Sequence, residues 1–451
     1  MEGAKFLKLK AAIVSLGCSK NLVDSEVMVQ SILNDNYEIT NDASIAEVII
    51  VNTCGFIEGA KQESIDTILE MSEYKNNGKC KVLIASGCMA ERYKEELIKE
   101  LPELDAVIGT GDYKDITEVI LKTLQGEKVV RYGHQELVDI DKLPRRISTF
   151  GASAYLKIAE GCDNRCSYCI IPTLRGRYRS RKMEDILEEA KELSKNGIQE
   201  LNIIAQDITR YGIDLYGKYW LSELLKELAA IEGIAWIRLM YSYPDEFSDE
   251  LIDTIAKEEK ICKYLDIPIQ HASNGILKKM ARRSSKEKIL ELIRKLRTSM
   301  PDIILRTSLI VGFPGETEKD FEELYDFVSE VKFNRLGVFT YSREEDTAAY
   351  DMPNQVDEAV KQERLEKIML LQKDISQENN RKLIGRTIKV LIEGISSGKY
   401  FGRSYMDAPE IDGKVYFKSS KDLIPGDFCF VKVNKAYEYD LVGGRIDEPG
   451  K

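Results

Sequence analysis

Apolar runs alternate with amphipathic stretches over residues 1–140. Each apolar run has the length and composition of a strand buried on both faces, and helical patterns with one polar face separate the runs. The four clearest runs are AAIVSLG, EVIIVNT, KVLIASG and DAVIGTG. Because strand–helix alternation at this spacing builds βαβ units, the pattern predicts a doubly wound parallel sheet in an α/β domain.

A second series of strand and helix patterns covers residues 151–380, after a short linker at 141–150. Its six strand-like runs are AYLKIAEG, ELNIIAQDI, WIRLMYSYP, YLDIPIQ, ILRTSLIVGF and RLGVFTYS. Six β/α units form either a partial barrel or a second doubly wound sheet. We predict the partial (β/α)6 barrel, which lacks two units of a full barrel and stays open at one side for a bulky substrate.

The last part of the chain changes character. A long polar stretch with helical periodicity, DEAVKQERLEKIMLLQKDISQENNRKL, precedes short β-like runs separated by glycine turns. These runs include TIKVLIEG, KYFGRSY, KVYFK, FCFVKVNKA and YDLVGGR. They predict a small antiparallel β-barrel over residues 381–451.

Charge and hydropathy limit the class of protein. The net charge of the 451 residues is −11, which argues against broad binding to a phosphate backbone. No apolar run approaches the ~18 residues of a membrane helix, and the run at 11–16 is shorter than the ~7–15 residues of a signal sequence core. We therefore expect a cytoplasmic protein without a membrane segment, and a monomer, since no segment has the pattern of an interface.

Three of the nine cysteines lie within eight residues, Cys162, Cys166 and Cys169, directly after the first strand of the second series. A structural zinc site would need a fourth Cys or His at a recognisable distance, and none is near. Three thiolates that leave one position open are typical of an iron–sulfur cluster whose remaining iron binds another molecule. In β/α barrels, loops at the carboxyl ends of the strands carry the chemistry.

Three more cysteines, Cys18, Cys54 and Cys88, each follow a predicted strand of the first domain. The spacings are 36 and 34 residues, about one βα unit each. Parallel neighbouring strands would therefore place all three at one sheet edge, where open α/β folds bind ligands. We interpret them as ligands of a second cluster; the alternative is three small residues at tight strand ends. The other three, Cys80, Cys262 and Cys429, lack this placement and are expected to be structural or free thiols.

Several further residues are weaker candidates. Gly312 and Gly315 follow a strand, where they either let a ligand approach the backbone or only connect strand to helix. Gln206 ends another strand, a functional position in a barrel. Arg306 lies within a strand and needs a carboxylate partner or a cofactor. A basic loop follows the cysteine motif and is either solvated or a grip on an acidic group; it contains Arg175, Arg177, Arg179 and Arg181.

The spacing Cys-x3-Cys-x2-Cys, with Tyr168 before the third cysteine, resembles the signature of radical S-adenosylmethionine enzymes. With the upstream cysteines and the terminal β domain, nearly the whole chain is similar to the methylthiotransferases, which have an N-terminal domain, a radical core and a TRAM domain. The motifs LGCSKNLVDSE, EGCDNRCSYCIIPTLRGRYRSR and SLIVGFPGETEKDF resemble the RimO type. That type modifies an aspartate of the twelfth small-subunit ribosomal protein.

This resemblance implies a mechanism with two [4Fe–4S] clusters. The first, on the motif cysteines, binds S-adenosylmethionine at its open iron, and one electron yields a radical that takes hydrogen from the aspartate β-carbon. The second, on the upstream cysteines, presents a sulfur that another S-adenosylmethionine methylates before it joins the substrate. The residues implied around S-adenosylmethionine are Tyr168, Gln206, Arg306, Gly312 and Gly315.

The resemblance also implies partners. These are the ribosomal protein, a sulfide or polysulfide donor, and an electron donor such as a flavodoxin or ferredoxin. The terminal barrel has 12 Lys and Arg against 10 Asp and Glu over residues 382–451, so it carries no basic stripe. We expect it to touch a basic ribosomal protein through Asp407, Glu410 and Asp412.

Two alternatives share much of this pattern. The sister enzymes that methylthiolate an adenosine of transfer RNA have both cysteine triads, but SKNLVDSE after Cys18 and the acidic net charge favour the protein-modifying type. A non-catalytic iron–sulfur protein, such as an electron carrier, would normally close each cluster with four cysteines. A nucleic-acid-binding module is a third hypothesis, which a flat salt dependence of binding would oppose.

Overall fold

A computed structural model describes residues 8–137, 140, 144–149 and 151–447. It contains two six-stranded parallel sheets, a closed five-stranded barrel and one two-stranded ribbon. The fold class predicted from the sequence is confirmed. Of the linker predicted at 141–150, residues 141–143 and 150 lie outside the described part, as do 1–7 and 448–451 at the ends of the first and last predicted domains.

The first sheet has the order β2-β1-β3-β4-β5-β6, with every pair parallel. Its strands are β1 Lys10–Ser15, β2 Glu38–Ile39, β3 Val48–Thr53, β4 Val82–Gly87, β5 Ala106–Ile108 and β6 Val129–Arg131. Its helices are α1 Ser19–Asn34, α2 Glu58–Ser72, α3 Tyr74–Asn77, α4 Cys88–Glu100 and α5 Ile116–Leu124. The strand order reverses between β1 and β3, and such a switch point opens a crevice at the carboxyl ends of the strands.

The central sheet runs β7-β10-β11-β12-β13-β14 in chain order, so its edge strands β7 and β14 do not pair and the barrel stays open. The strands of this region are β7 Ser153–Lys157, β8 Ala159–Glu160, β9 Arg179–Ser180, β10 Glu200–Ile204, β11 Trp236–Leu239, β12 Ile261–Asp266, β13 Ile304–Val311 and β14 Arg335–Thr340. Strands β8 and β9 form the separate ribbon. Six β/α units therefore make the partial barrel rather than a second doubly wound sheet.

Helices cover the outer face of the central sheet and bury its largest apolar core. The helices of this region are α6 Ile171–Arg175, α7 Met183–Lys195, α8 Ile213–Tyr216, α9 Leu221–Ala229, α10 Asp249–Lys257, α11 Asn274–Lys279, α12 Lys286–Ser299, α13 Glu318–Val331 and α14 Glu358–Arg381, of which α6 and α8 contribute nothing to that core. The last of these is the long polar helix predicted before the barrel. Within the described residues, no helix has the length and hydropathy to cross a membrane.

The C-terminal barrel closes in the order β15-β16-β17-β19-β18. Its strands are β15 Thr387–Ser396, β16 Lys399–Arg403, β17 Val415–Lys418, β18 Phe428–Ala436 and β19 Leu441–Ile446. Four of the five strand pairs are antiparallel, as predicted, and the fifth, between β17 and β19, is parallel. Strand directions cannot alternate all the way round a closed ring of five strands, so one parallel pair is unavoidable. A long segment joins β16 to β17.

That long segment packs into the open central sheet. Met406 and Ala408 are buried in one apolar cluster with Trp236 and Cys262, which lie at the amino ends of β11 and β12. The barrel therefore closes the end of the partial barrel opposite the carboxyl edge, and the carboxyl edge remains for the site.

A buried carboxylate also ties the barrel to the central sheet. Arg403 donates from Nη2 to Glu200 Oε2 at 2.6 Å, and Arg238 donates from Nε to Glu200 Oε1 at 3.0 Å. Burial by itself would raise the pKa of Glu200, but the two guanidinium groups outweigh it and lower the pKa to about 2. Glu200 is thus ionised inside the protein.

Two of the three acidic residues expected to meet a ribosomal protein are inside the chain. Asp407 accepts from Arg335 Nη2 at 2.7 Å, and Asp412 accepts from the Tyr264 hydroxyl at 2.7 Å. Their side chains are only 3% exposed. The expectation is wrong for both residues because their carboxylates bind buried groups of the central sheet. The third residue, Glu410, is exposed.

Candidate active site

Cys162, Cys166 and Cys169 lie on the loop between β8 and α6, at the carboxyl edge of the central sheet. The Cys162 amide donates to the Gly176 carbonyl at 3.2 Å, and the Cys169 amide donates to the Cys166 carbonyl at 3.0 Å. The loop therefore turns back on itself. All three thiols are free and none of the three residues is fully buried.

Ser167 anchors this loop to neighbouring segments. Its amide and hydroxyl donate to the carbonyls of Met280 and Lys279 at 3.0 and 2.8 Å. Its own carbonyl accepts from the Ala349 amide at 2.7 Å. The cysteine loop is thus held by the segment that follows α11 and by the segment after β14.

Burial disfavours the thiolate form of Cys162 and Cys169. It raises the pKa of Cys162 to about 11 and raises the pKa of Cys169 as well. One cation lies beside the set: Arg282 Nη1 is 3.9 Å from Cys166 Sγ, and its guanidinium lies 4.0 Å from the centre of the Tyr243 ring. A metal would have to displace the protons, after which Arg282 would balance part of the negative charge.

Cys18, Cys54 and Cys88 follow β1, β3 and β4, three neighbouring strands of the first sheet. Cys18 is the N-cap of α1, and Cys88 is the first residue of α4. The three loops touch one another. A Cβ at Gly17 would lie 2.8 Å from Cys54 Cβ, and one at Gly55 would lie 3.0 Å from the Cys88 carbonyl carbon.

Asn21 connects these three loops. Its Nδ2 donates to the carbonyls of Leu16 and Thr53 at 3.0 and 2.9 Å, just before Cys18 and Cys54. Its Oδ1 lies 3.6 Å from Cys88 Sγ and accepts a short hydrogen bond from Arg175. One amide side chain therefore fixes the relative positions of the three cysteine loops.

Arg175 links this first-domain edge to the central sheet. Its Nη2 lies 3.4 Å from Cys88 Sγ, and its Nη1 donates to Asp24 Oδ2 at 2.6 Å. Burial raises the pKa of Cys88 to about 12, while the arginine opposes this rise. Within the arginine-rich loop, Arg175 and Arg181 are buried and bind carboxylates of this chain, whereas Arg177 is 80% exposed. The first two therefore do not form a grip on an external acid.

A chain of buried charges continues from Arg175 to Gln206. Lys157 Nζ donates to Asp24 Oδ1 at 2.6 Å and to Glu160 Oε2 at 2.7 Å, and Gln206 Nε2 donates to Glu160 Oε1 at 2.7 Å. Burial would raise the pKa of Glu160, but Lys157 and then Arg175 outweigh it and hold the pKa well below its usual range. These contacts lead from Cys88 in the first domain to Gln206 at the carboxyl end of β10.

The five residues predicted around a cofactor occupy the carboxyl half of the central sheet. Gln206 follows β10, and its Oε1 is buried without a hydrogen-bond partner in the described chain. Arg306, within β13, donates from Nη1 to Asp266 Oδ1 at 2.8 Å and so has the carboxylate that its position requires. Gly312 follows β13 directly.

The loop from Gly312 to Gly315 touches the cysteine loop. Tyr168 packs against the cluster that contains Phe313, and Lys279 donates from Nζ to the Gly315 carbonyl at 2.9 Å. Because the Lys279 carbonyl also accepts from Ser167, the glycine loop and the cysteine motif share one support. Gly315 has φ +75°, a conformation for which glycine is suited.

The other cysteines and histidines lie elsewhere. Cys80, Cys262 and Cys429 are buried, as expected for structural thiols. His271 is fully buried and accepts from the Ser273 amide at 2.9 Å, and His134 Nδ1 lies 2.8 Å from Asp112 Oδ1. In the described part of the chain, no three Cys, His, Asp or Glu side chains are arranged to share a single metal ion.

Sequence reasoning missed the polar residues that join the domains. The motif SKNLVDSE contains four of them, Asn21, Asp24, Ser25 and Glu26, and it served above only to show similarity to the family. The sequence did contain a signal for them. Within the predicted helix, polar residues follow Asn21 at both three and four positions, so the helix has a polar face that begins next to Cys18.

An open parallel sheet with a three-cysteine loop after its first strand defines the class of radical S-adenosylmethionine enzymes. The model of the "Radical SAM superfamily" matches residues 156–328, and those of "Uncharacterized protein family UPF0004" and "TRAM domain" match 10–109 and 384–446. A solved structure of the radical S-adenosylmethionine methyltransferase TsrM from Kitasatospora setae covers 87% of this chain and 80% of its own, with TM-score 0.56 and 14% identity. That likeness shows the fold.

Curated relatives narrow the class. "Ribosomal protein uS12 methylthiotransferase RimO" of Clostridioides difficile is 56% identical over 441 residues, 98% of this chain and 99% of that protein. The protein of the same name from Thermoanaerobacter sp. is 55% identical over 431 residues, 96% of this chain and 98% of its own. The chain belongs to the RimO family of methylthiotransferases, and the resemblance seen in the sequence is confirmed.

Proposed function

We propose that this chain transfers a methylthio group to the β-carbon of an aspartate of ribosomal protein uS12. The observation that carries the proposal is the 56% identity, over almost the full length of both chains, to a relative named for that reaction. The arrangement supports it: one cysteine set lies at the carboxyl edge of each parallel sheet, and buried charged groups connect the first of these edges to the second.

Radical S-adenosylmethionine enzymes use S-adenosylmethionine and an iron–sulfur cluster, and this chain has residues that fit both. Cys162, Cys166 and Cys169 would hold a [4Fe–4S] cluster with one open iron. When bound, S-adenosylmethionine on this cluster supplies the radical chemistry that activates a C–H bond. The buried, unpartnered Oε1 of Gln206 offers an acceptor to an amino or hydroxyl donor of the cofactor.

Around S-adenosylmethionine we place the other predicted residues. Tyr168 and the backbone of Gly312 and Gly315 form one wall, since they are packed together beside the cysteine loop. Arg306 is fixed by Asp266, and its Nε lies 3.9 Å from Asp412 Oδ1. These residues orient the cofactor and exclude water from it.

A second [4Fe–4S] cluster would be held by Cys18, Cys54 and Cys88. Three facts fit this assignment: the thiols share one sheet edge, two of them lie at helix N-termini, and Arg175 lies 3.4 Å from Cys88 Sγ. Hydrogen bonds to cluster sulfurs set reduction potentials, so Arg175 would tune this cluster.

The remaining assignments follow the family. Residues 1–140 would carry the second cluster, 151–380 the radical chemistry and 381–451 the TRAM barrel, with a linker at 141–150. The sulfur would come from sulfide or polysulfide and the electron from a flavodoxin or ferredoxin. We place the enzyme in the cytoplasm as a monomer.

A steric substitution tests whether the conformation of the loop that carries Cys162, Cys166 and Cys169 is needed to bind iron. Gly161 precedes Cys162 with φ +78°, and a Cβ there would lie 2.0 Å from the Arg177 carbonyl oxygen. We expect Gly161→Ala to displace the loop and to lower the iron bound after anaerobic reconstitution by roughly half, the share of one of two equal clusters. Iron content and visible absorption measure this.

The matched control is Gly197→Ala. Gly197 has φ +89° but no atom within 4 Å of the position that a Cβ would take. The Gly197→Ala substitution therefore introduces a similar backbone strain without the clash, and the iron content of this variant should equal that of the wild type. Equal iron in both variants would show that the contact with Arg177 does not govern the loop.

A substrate competition tests the proposed reaction. The reconstituted enzyme, reductant, sulfide and S-adenosylmethionine are combined without oxygen with equal amounts of purified uS12 and unmodified transfer RNA. We expect a methylthio group on uS12 and none on RNA, measured by mass spectrometry of both digests. A methylthio adenosine would assign the chain to the RNA-modifying reaction, and failure to cleave S-adenosylmethionine would favour a non-catalytic iron–sulfur protein.

A further inference from the structure

The motif that follows Cys18 buries five polar residues at the start of α1: Lys20, Asn21, Asp24, Ser25 and Glu26. Four of them have partners within the chain. Asn21 and Asp24 make the contacts described above, Ser25 binds Ser15 and Asn52, and Glu26 binds Arg145 and Ser148. Lys20 is the exception.

Lys20 is a buried cation that lacks an anionic partner among the described residues. The residue is 5% exposed. Its Nζ lies 2.8 Å from the centre of the Tyr241 ring, and it forms no hydrogen bond or ion pair in the described part of the chain. A buried ammonium requires a negative partner, and an aromatic face satisfies that requirement only in part.

The aromatic partner lies at the carboxyl edge of the central sheet. Tyr241 follows β11; its amide donates to Asp266 Oδ2 at 3.3 Å, and its carbonyl accepts from the Ile208 amide at 3.2 Å. Its φ is +63°, an unfavourable conformation for a bulky residue. Strain of this kind concentrates at binding sites, where the surrounding structure maintains it.

Three carboxylates of this region, Asp24, Glu160 and Asp266, are already paired within the chain. Asp266 binds Arg306 through Oδ1 and the Tyr241 amide through Oδ2. Asp24 and Glu160 use both of their oxygens on Lys157, Arg175 and Gln206. None of these three carboxylates is paired with Lys20, so its positive charge beside Cys18 is not balanced by them.

We propose that Lys20 binds the side-chain carboxylate of the substrate aspartate; this inference rests on the function proposed above. The carboxyl carbon of aspartate is bonded directly to the β-carbon. An ammonium that holds the carboxylate at hydrogen-bond distance therefore also fixes the β-carbon, next to Cys18 on one side and the central sheet edge on the other. Lys20 would also make the enzyme select aspartate over asparagine.

The test compares binding of two forms of uS12, one with its target aspartate and one with asparagine there. Fluorescence anisotropy of labelled uS12, without oxygen, measures the dissociation constant for the reconstituted wild type and for Lys20→Met. We expect Lys20→Met to weaken binding of the aspartate form by roughly 10–100-fold, the effect of losing one charged hydrogen bond. The dissociation constant of the asparagine form should stay within about twofold of its wild-type value.

Controls separate this role from a structural one. Lys20→Arg keeps the charge and should retain a preference for aspartate, and Lys114→Met removes an exposed lysine of the same domain and should change neither constant. Iron content and absorption verify the clusters in each variant. If Lys20→Met loses iron, Lys20→Gln, with a polar side chain of similar reach, carries the same comparison.

Three results would overturn the inference: an equal loss for both forms of uS12, no loss for either, or a raised KM for S-adenosylmethionine with unchanged binding of uS12. The last would assign Lys20 to the carboxylate of the cofactor. If the wild type does not modify uS12 at all, the proposed function is wrong, and the inference about Lys20 is wrong with it. If the wild type modifies uS12 while Lys20→Met still prefers aspartate, the role of Lys20 alone fails.

Discussion

Replacing Cys18, Cys54 and Cys88 together with alanine is expected to lower the iron content from about eight to about four atoms per chain and to abolish methylthio transfer. Cleavage of S-adenosylmethionine should persist, because the substitutions leave the hydrogen bonds between its cysteine loop and Lys279, Met280 and Ala349 in place. Iron analysis, electron paramagnetic resonance and chromatography of the cleavage products measure the three quantities.

The complementary variant replaces Cys162, Cys166 and Cys169. It should also retain about four iron atoms, but it should cleave no S-adenosylmethionine. Cys80→Ala is the control: this thiol is buried in the first domain and donates to the Val82 carbonyl at 3.4 Å, away from the sheet edge. It should keep the full iron content. Unchanged iron after loss of the three upstream cysteines would mean that they are not metal ligands.

Arg175→Met is expected to destabilise the folded protein by about 3–5 kcal/mol. Arg175 is 2% exposed and is bound to Asp24, Asn21 and Cys88, so its removal leaves Asp24 with a single cation, Lys157, in a buried setting. Removing one partner of a buried charge network lowers the free energy of unfolding much more than removing a surface charge does. Urea unfolding followed by circular dichroism without oxygen measures the free energy of unfolding.

The control for this prediction lies two residues away. Arg177 is 80% exposed, and its Nε lies 3.7 Å from Asp163 Oδ1. Arg177→Met should change the free energy of unfolding by less than about 0.5 kcal/mol. Similar effects of the two substitutions would show that the buried network does not contribute to the stability of the domain interface.

The sequence allowed the fold class and the location of both cysteine sets to be predicted because both depend on local patterns. Alternating strands and helices imply parallel sheets, and a residue that follows each strand must lie at the carboxyl edge. The structure accordingly places Cys18, Cys54 and Cys88 after three neighbouring strands. Their role as cluster ligands stays a prediction.

The charge chain between the domains was not predictable in the same way. Asp24 and Lys157 are 133 residues apart, and Asn21 and Arg175 are 154 apart. No periodicity relates such positions. A charged residue in a sequence is most often solvated, which is why Asp407 and Asp412 were expected at the surface. Only the packing of the terminal barrel into the open sheet buries them.

The parallel pair of the terminal barrel has a different cause. Short strands separated by glycine turns predict antiparallel neighbours, and four of the pairs follow this rule. A closed ring of five strands cannot alternate in direction throughout, so one pair, β17 with β19, is parallel. Local patterns predict the strands but do not show that the ring closes with an odd number of them.

The proposed reaction is tested most simply by a fragmentation mass spectrum of uS12 after reaction with the reconstituted enzyme in the presence of competing transfer RNA. We expect one methylthio group on the side chain of an aspartate, with the hydrogen lost from its β-carbon, and unmodified RNA. A methylthio group on adenosine, or uS12 that remains unmodified while S-adenosylmethionine is cleaved, would contradict the proposed reaction.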